Sequence, residues 1–177
     1  MAILTEQQLR NQARDTTFSS VRLSASNPGA TLFLSHSHLD RDIAKGLIGL
    51  LGSQGVSVYV DWNDSDMPRI TSGETARAIK QKIGSKKLFA VLATPNAMRS
   101  KWVPWEIGVA DLSKGEGQVL VIPVADKDGN YAGNEYMQLY RRIELDTYGV
   151  MKVARPEQPL VLAESANQFL KKNVVYG

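Results

Sequence analysis

The sequence predicts an α/β protein in which a parallel β-sheet is covered by helices on both faces. One observation is a set of short runs that are apolar throughout, as in strands buried on both sides. Another is that the stretches between these runs repeat apolar residues at helical spacing, so strands and helices alternate along the chain. A chain of 177 residues is long enough for one such domain.

The apolar runs predict five strands, at residues 31–35, 56–60, 88–93, 119–124 and 143–145. Helices are predicted after Ser37, over residues 75–86, after Ser100, over residues 137–142 and over residues 164–172. The commonest doubly wound order for five strands is the flavodoxin-like order 2-1-3-4-5. In that order a ligand binds at the carboxyl ends of the first and third strands, where the order reverses.

The first thirty residues differ from the rest of the chain. A short helix is predicted over residues 5–14, and residues 16–30 are rich in Ser and Thr and end in the turn signal Asn27, Pro28, Gly29. We therefore expect a partly ordered N-terminal arm at residues 1–30 and one domain at residues 31–177.

Composition excludes several classes of protein. The chain has no cysteine, which removes disulfides, thiolate nucleophiles and cysteine-based zinc sites and fits a reducing cytoplasm. The net charge of +3 is too small and too dispersed to indicate a nucleic-acid partner. No apolar run approaches membrane-spanning length, and the polar N-terminus lacks a signal-peptide core, so no membrane partner is expected.

The stretch that follows the third predicted strand carries the clearest chemical signal. Ser100 can cap a helix there, and Pro104 is tolerated only in the first turn of that helix. Trp102 and Glu106 then lie one turn apart on the same face, where the aromatic surface disfavours the charged carboxylate and raises its pKa. Such a carboxyl group suits chemistry at a glycosidic bond. On this stretch alone, a solvated Glu106 stabilised by the helix dipole remains the alternative.

The predicted topology brings a second segment to the same place. Ser35, His36 and Ser37 lie at the end of the first strand, so we expect them to border the crevice that Glu106 also borders, together with the segment from Thr94 onward that follows the third strand. Ser37 can cap the next helix or contact a phosphate or ribose at the N-terminus of that helix. Asp61 ends the second strand and either contacts the ligand or caps the polar loop that follows it.

Other nucleotide and metal sites are not supported. His36 and His38 are the two histidines of the chain, and no cysteine or carboxylate cluster supplies further ligands, so no metal site is predicted. No phosphate-binding G-x-x-x-x-G-K-[ST] loop is present, and no glycine-rich dinucleotide fingerprint follows a strand.

Four motifs follow one another along the chain: the first-strand motif at residues 33–37, the second-strand end at 58–61, a loop containing Pro68 and Gly73, and residues 100–106. Taken together, they resemble the Toll/interleukin-1 receptor (TIR) domain family, especially its bacterial NAD-consuming type. The last motif resembles the family signature Ser-x-Trp-Cys-x-x-Glu, with Val103 in place of the cysteine. The resemblance covers residues 31–125 well and the remainder loosely.

The resemblance implies an NAD⁺ glycohydrolase or ADP-ribosyl cyclase that acts in bacterial antiviral defence. Glu106 matches the catalytic carboxylate and Trp102 its aromatic neighbour, and His36 and Ser37 match positions that line the nucleotide pocket. On the loop, Trp62 and Arg69 are candidates for contacts with the adenine half or with a neighbouring subunit. NAD⁺ would be the substrate and no cofactor is expected. TIR–TIR self-association and a downstream effector that senses the product are the expected partners.

Two alternatives remain open at this point. The chain could be a non-catalytic TIR interaction module, which nicotinamide release from NAD⁺ would argue against. It could also be another nucleoside-cleaving enzyme of the same architecture, similar to the deoxyribosyltransferases, for which deoxynucleosides would be substrates.

Overall fold

The computed structural model describes residues 3–15, 31–53, 55–63, 72–115, 117–131 and 133–175. Within these ranges helices and strands alternate over most of the chain. The strands are β1 (Leu4–Thr5), β2 (Leu32–Ser35), β3 (Val58–Tyr59), β4 (Leu88–Ala93), β5 (Val119–Ala125), β6 (Arg141–Leu145), β7 (Met151–Ala154) and β8 (Glu164–Ser165). The α-helices are α1 (Glu6–Asp15), α2 (Arg41–Ser53), α3 (Gly73–Ser85), α4 (Pro95–Arg99), α5 (Val103–Ser113) and α6 (Ala166–Val175).

The central sheet has the predicted strand order. Its order is β3-β2-β4-β5-β6-β7-β8, and the first five of these strands are the five predicted ones. All pairs from β3 to β6 are parallel, and β2 lies between β3 and β4. The flavodoxin-like order 2-1-3-4-5 is therefore confirmed, and with it the switch point between β2 and β4.

The sheet is larger than the five strands predicted. Strand β7 pairs antiparallel with β6, and β8 pairs antiparallel with β7, which adds an antiparallel edge to the parallel sheet. Strand β1 pairs with the end of β5 through Leu4 and Thr5. These strands are two to four residues long, so their periodicity is too short to be recognised in the sequence.

Residues near the N-terminus are built into the domain. Helix α1 packs on α2, and Leu9 is 1% exposed in the same core as Leu47. A Cβ added at Gly46 would lie 2.7 Å from the backbone carbonyl carbon of Leu9, so the two helices touch through their backbones. The part of the predicted arm at residues 16–30 lies outside the described residues.

Two apolar cores lie on opposite faces of the sheet. One core includes residues of α1, α2 and α6, such as Leu9, Ile43 and Phe169. The other includes residues of α3 and α5, such as Ile83 and Ile107. Because residues of a strand alternate between faces, Ser35 points to the same side as Phe33, which belongs to the α3 and α5 core. This alternation places the end of β2 under α5.

Most predicted helices occur with shifted ends. Helix α3 begins at Gly73 because Ser72 and Thr75 form a reciprocal capping box. The stretch predicted as helix over residues 137–142 is divided between a 3₁₀ helix (Glu135–Leu139) and the start of β6. The last helix begins at Ala166 because the two residues before it pair in β8.

The segment between β4 and Glu106 contains two helices rather than one. Thr94 caps α4, with its hydroxyl accepting a hydrogen bond from the Ala97 amide at 3.0 Å. Ser100 then accepts from the amides of Trp102 and Val103 at 3.2 and 3.4 Å, and Pro104 lies in the first turn of α5. The predicted position of Pro104 is therefore confirmed. Ser100 lies two residues before the N-cap residue, which is Trp102, so its hydroxyl supports the helix start without being the cap.

In the described part of the chain, every helix is too short or too polar to cross a bilayer.

Candidate active site

A buried carboxyl group lies at the switch point. Glu106, in the first turn of α5, is 6% exposed, and Ser35 at the end of β2 is 1% exposed. The Ser35 hydroxyl donates a hydrogen bond to Oε2 of Glu106 across 71 residues of chain. The structure thus joins the end of the first predicted strand to the helix that follows the third.

Burial is the main influence on the protonation of Glu106. Burial raises the pKa of Glu106, the Ser35 hydrogen bond lowers it and the charge of Asp61 raises it, so that together they bring the pKa to about 7. A first-turn position favours the anion by about 0.3–1 kcal/mol through the helix dipole. The shift from 4.5 to about 7 corresponds to about 3 kcal/mol in the opposite direction. Desolvation therefore exceeds the dipole effect, and Glu106 is not the solvated carboxylate of the alternative interpretation.

His36, which directly follows Ser35 in the chain, is held as a neutral imidazole. Its Nδ1 lies 3.2 Å from the carbonyl oxygen of Leu34, which can only accept, so Nδ1 carries the hydrogen. Burial lowers the pKa of His36, although the charges of Asp61 and Asp40 oppose this. This tautomer leaves Nε2 with a lone pair, which can accept a hydrogen bond from a ligand.

Trp62 packs beside His36. The two rings meet edge to face with their centroids 4.3 Å apart, and the Arg41 guanidinium lies 5.7 Å from the centre of the indole. Asp61, the residue before Trp62, affects the pKa values of both Glu106 and His36. The structure therefore brings Asp61, Trp62, His36 and Glu106 into one neighbourhood.

Ser37 has the capping role that the sequence offered as one alternative. It is 4% exposed, and its hydroxyl accepts from the Leu39 amide at 3.4 Å at the start of a 3₁₀ helix (His38–Asp40). His38 is exposed. A phosphate or ribose contact of Ser37 remains a prediction.

Trp102 and Arg69 complete the predicted set. The Trp102 ring is packed edge to face on Trp105, with centroids 5.4 Å apart, against the α3 and α5 core. A contact of Trp102 with a ligand remains a prediction. Arg69 lies outside the described residues.

One buried carboxylate was not recognised as part of this region. Asp40 fits a helix-start pattern, but it is 1% exposed and accepts hydrogen bonds from the Thr94 hydroxyl and, at 2.7 Å, from Nδ2 of Asn96. These bonds link the start of α2 to the start of α4 across the switch point. The Thr94-Pro95 pair is a helix-start signal, but the sequence does not show that Asp40 lies beside it.

No group of three or more His, Asp or Glu side chains that could hold a metal ion occurs within the described residues.

Comparison with known proteins identifies the family. Residues 32–149 match the model of the TIR domain. A protein of Bacillus cereus, named a probable 3′ cyclic ADP-D-ribose synthase, ThsB′, is 37% identical over 111 residues, which are 62% of this chain and 58% of that protein. A protein of Cytobacillus dafuensis, described as a candidate cyclic ADP-D-ribose synthase, TIR2, is 32% identical over 92 residues, which are 50% of this chain and 24% of that protein.

The chain thus spans less than two thirds of the length of these two relatives. The family match, in contrast, covers more than half of the chain and includes the switch point and Glu106. The predicted resemblance is confirmed: the chain belongs to the TIR domain family.

Proposed function

We propose that this protein cleaves the bond between nicotinamide and ribose in NAD⁺ and forms ADP-ribose or a cyclic ADP-ribose as a signal in bacterial defence. The buried, hydrogen-bonded Glu106 at the switch point is the observation that carries this proposal. The names of the two relatives, both cyclic ADP-D-ribose synthases, support it.

The chemistry requires one carboxylate. When the C–N bond breaks, its electron pair leaves with the pyridinium ring, which departs as neutral nicotinamide and needs no proton. Positive charge then develops on the ribose, and the Glu106 carboxylate stabilises it or holds the ribose hydroxyls. Attack on the anomeric carbon by water gives linear ADP-ribose, and attack by another group of the same molecule gives a cyclic product.

The surroundings of Glu106 suit this role. A pKa of about 7 leaves a large fraction of Glu106 ionised at neutral pH, and the cationic nicotinamide ring would favour the ionised form further. His36 is expected to offer a hydrogen-bond acceptor, and Trp62 an aromatic surface, to the bound nucleotide. Asp61 contributes negative charge in the neighbourhood of Glu106.

Release of nicotinamide from NAD⁺ tests the proposal. Glu106→Gln preserves size and polarity but removes the charge, so we expect turnover to fall by about a hundredfold or more while folding survives. Liquid chromatography measures nicotinamide, and mass spectrometry identifies the second product.

Glu135→Gln is the matched control, because Glu135 is exposed on the 3₁₀ helix that follows β5. It should retain wild-type turnover. Nicotinamide release by Glu106→Gln at the wild-type rate would remove Glu106 from the reaction. Cleavage of deoxynucleosides instead of NAD⁺ would favour the deoxyribosyltransferase-like alternative.

Self-association and an effector that senses the product belong to the same proposal. The loop that contains Arg69 is the expected contact between copies. Sedimentation of the wild type and of Arg69→Glu measures how much this loop contributes to self-association. The cytoplasmic location remains a prediction from the sequence.

A further inference from the structure

A second cleft lies outside the Glu106 site. It has a volume of about 820 Å³, within the range of small-molecule sites, and its walls come from β5, β6, the segment after β5 and the loop after β7. The described residues that line the cleft do not include Ser35, His36, Asp61 or Glu106.

Glu144 on β6 lines the cleft and lacks one hydrogen-bond partner. Its side chain is 8% exposed, and Oε1 accepts from Nε of Arg142 at 2.7 Å. Oε2 is buried and has no partner among the described residues. A buried acceptor without a donor is unfavourable by about 1–3 kcal/mol, so Oε2 is suited to a donor that enters the cleft.

Arg142 directs its printed hydrogen bonds to other acceptors. Its Nη1 and Nη2 donate to the carbonyl oxygens of Arg155 and Gln158 at 2.9 and 2.7 Å, and its Nε donates to Oε1 of Glu144 rather than to Oε2. These bonds hold the loop that forms the rim of the cleft. Glu157 in this loop has a φ of 60°, an uncommon conformation for a residue other than glycine, and it adds a second carboxylate to the lining.

Two tyrosines form aromatic walls of the cleft. Tyr131 and Tyr140 line it, and burial, followed by the charge of Glu144, raises the pKa of Tyr131. A Cβ at Gly133 would lie 2.7 Å from Cζ of Tyr131, so the absence of a side chain there lets the phenol ring lie against the backbone.

From these contacts we propose that the cleft binds a small organic cation with N–H donors, such as a primary ammonium or an amidinium. One N–H donates to Oε2 of Glu144, and the cation lies against the tyrosine rings. The charged side chains of the lining are Arg142, Glu144 and Glu157, so acidic groups are in excess and favour a cation over an anion.

Benzamidine and its neutral relative benzamide test this. We expect benzamidine to shift the amide resonances of residues 131, 133 and 144 in nuclear magnetic resonance titrations of the wild-type protein. Benzamide lacks the charge and should bind about tenfold more weakly or worse. Glu144→Gln should weaken benzamidine binding about tenfold, whereas Glu135→Gln, on the neighbouring 3₁₀ helix outside the lining, should leave it unchanged.

Equal affinity for benzamidine and benzamide, or equal affinity of the wild type and folded Glu144→Gln, would overturn the proposal. Because Glu144 also holds Arg142, circular dichroism must show that the variant is folded. If it is not, the wild-type titration decides: the absence of shifts at the cleft with millimolar benzamidine rejects the site.

Discussion

At the scale of single residues, the account depends on one hydrogen bond between two buried side chains. Ser35 donates to Glu106, and this bond opposes the rise in the pKa of Glu106 that burial produces. We therefore assign Ser35 a positioning role: it orients the carboxylate and keeps more of it ionised at neutral pH. Its effect should consequently depend on pH.

Ser35→Ala should move the acidic limb of the pH profile of kcat/KM for NAD⁺ upward by about one unit, because a hydrogen bond to a charged group contributes about 1.5 kcal/mol. Activity should recover towards the wild-type value at high pH, and Ser35→Thr should restore the profile. A uniform loss at every pH would indicate a structural role only.

The same residues show how far the sequence predicts the site. Glu106 can be predicted from the sequence, because its spacing from Trp102 and its place after a buried strand are local features. The predicted topology brings Ser35 to the same crevice, but the hydrogen bond itself could not be predicted, because Ser35 lies 71 residues away and the sequence does not show which side chains of the crevice touch. Asp40 fits the helix-start pattern that begins at Ser37, and its contact with Thr94 could not be predicted, because Thr94 is 54 residues distant.

At the scale of elements, the parallel strands could be predicted and the short edge strands could not. Strands β4 and β5 are buried in every residue, which is a strong signal. Strand β8 has only two residues, Glu164 and Ser165, whose polar character also fits a helix start. Pairing with β7 selects the extended conformation, and the sequence alone does not contain that information.

The packing of α1 on α2 leads to a prediction for the helices. Gly46→Ala should destabilise the protein by about 2–3 kcal/mol, because the added methyl group meets the backbone of Leu9 and separates the helices. Gly84→Ala in α3 is the control, since nothing lies within 4 Å of its Cβ position and alanine favours helix. Thermal unfolding compares the two variants, and equal midpoints would contradict the backbone contact.

At the scale of the whole molecule, the titration of Glu106 makes the stability of the protein depend on pH. The folded-state pKa of Glu106 is about 7, above its ordinary value of 4.5, so the folded protein binds more protons than the unfolded chain between these values. The contribution of Glu106 to the free energy of unfolding must therefore fall as pH rises from 4.5 to 7. Burial of the ionised carboxylate is a stability cost that accompanies the proposed activity.

Glu106→Gln removes this titration. Relative to the wild type, the variant should gain about 3 kcal/mol in the free energy of unfolding between pH 4.5 and pH 8. Urea denaturation at both pH values measures the difference, with Glu135→Gln as a control that should track the wild type. A difference between Glu106→Gln and wild type that does not change with pH would contradict the buried titration.

The most direct test of the central claim is the titration of Glu106 itself. In protein labelled with ¹³C at glutamate carboxyl groups, the Glu106 signal is the one that Glu106→Gln lacks. The account predicts that this carbon titrates with a midpoint of about 7 and that the acidic limb of kcat/KM for NAD⁺ has the same midpoint. A midpoint near 4.5, with activity unchanged across neutral pH, would contradict it.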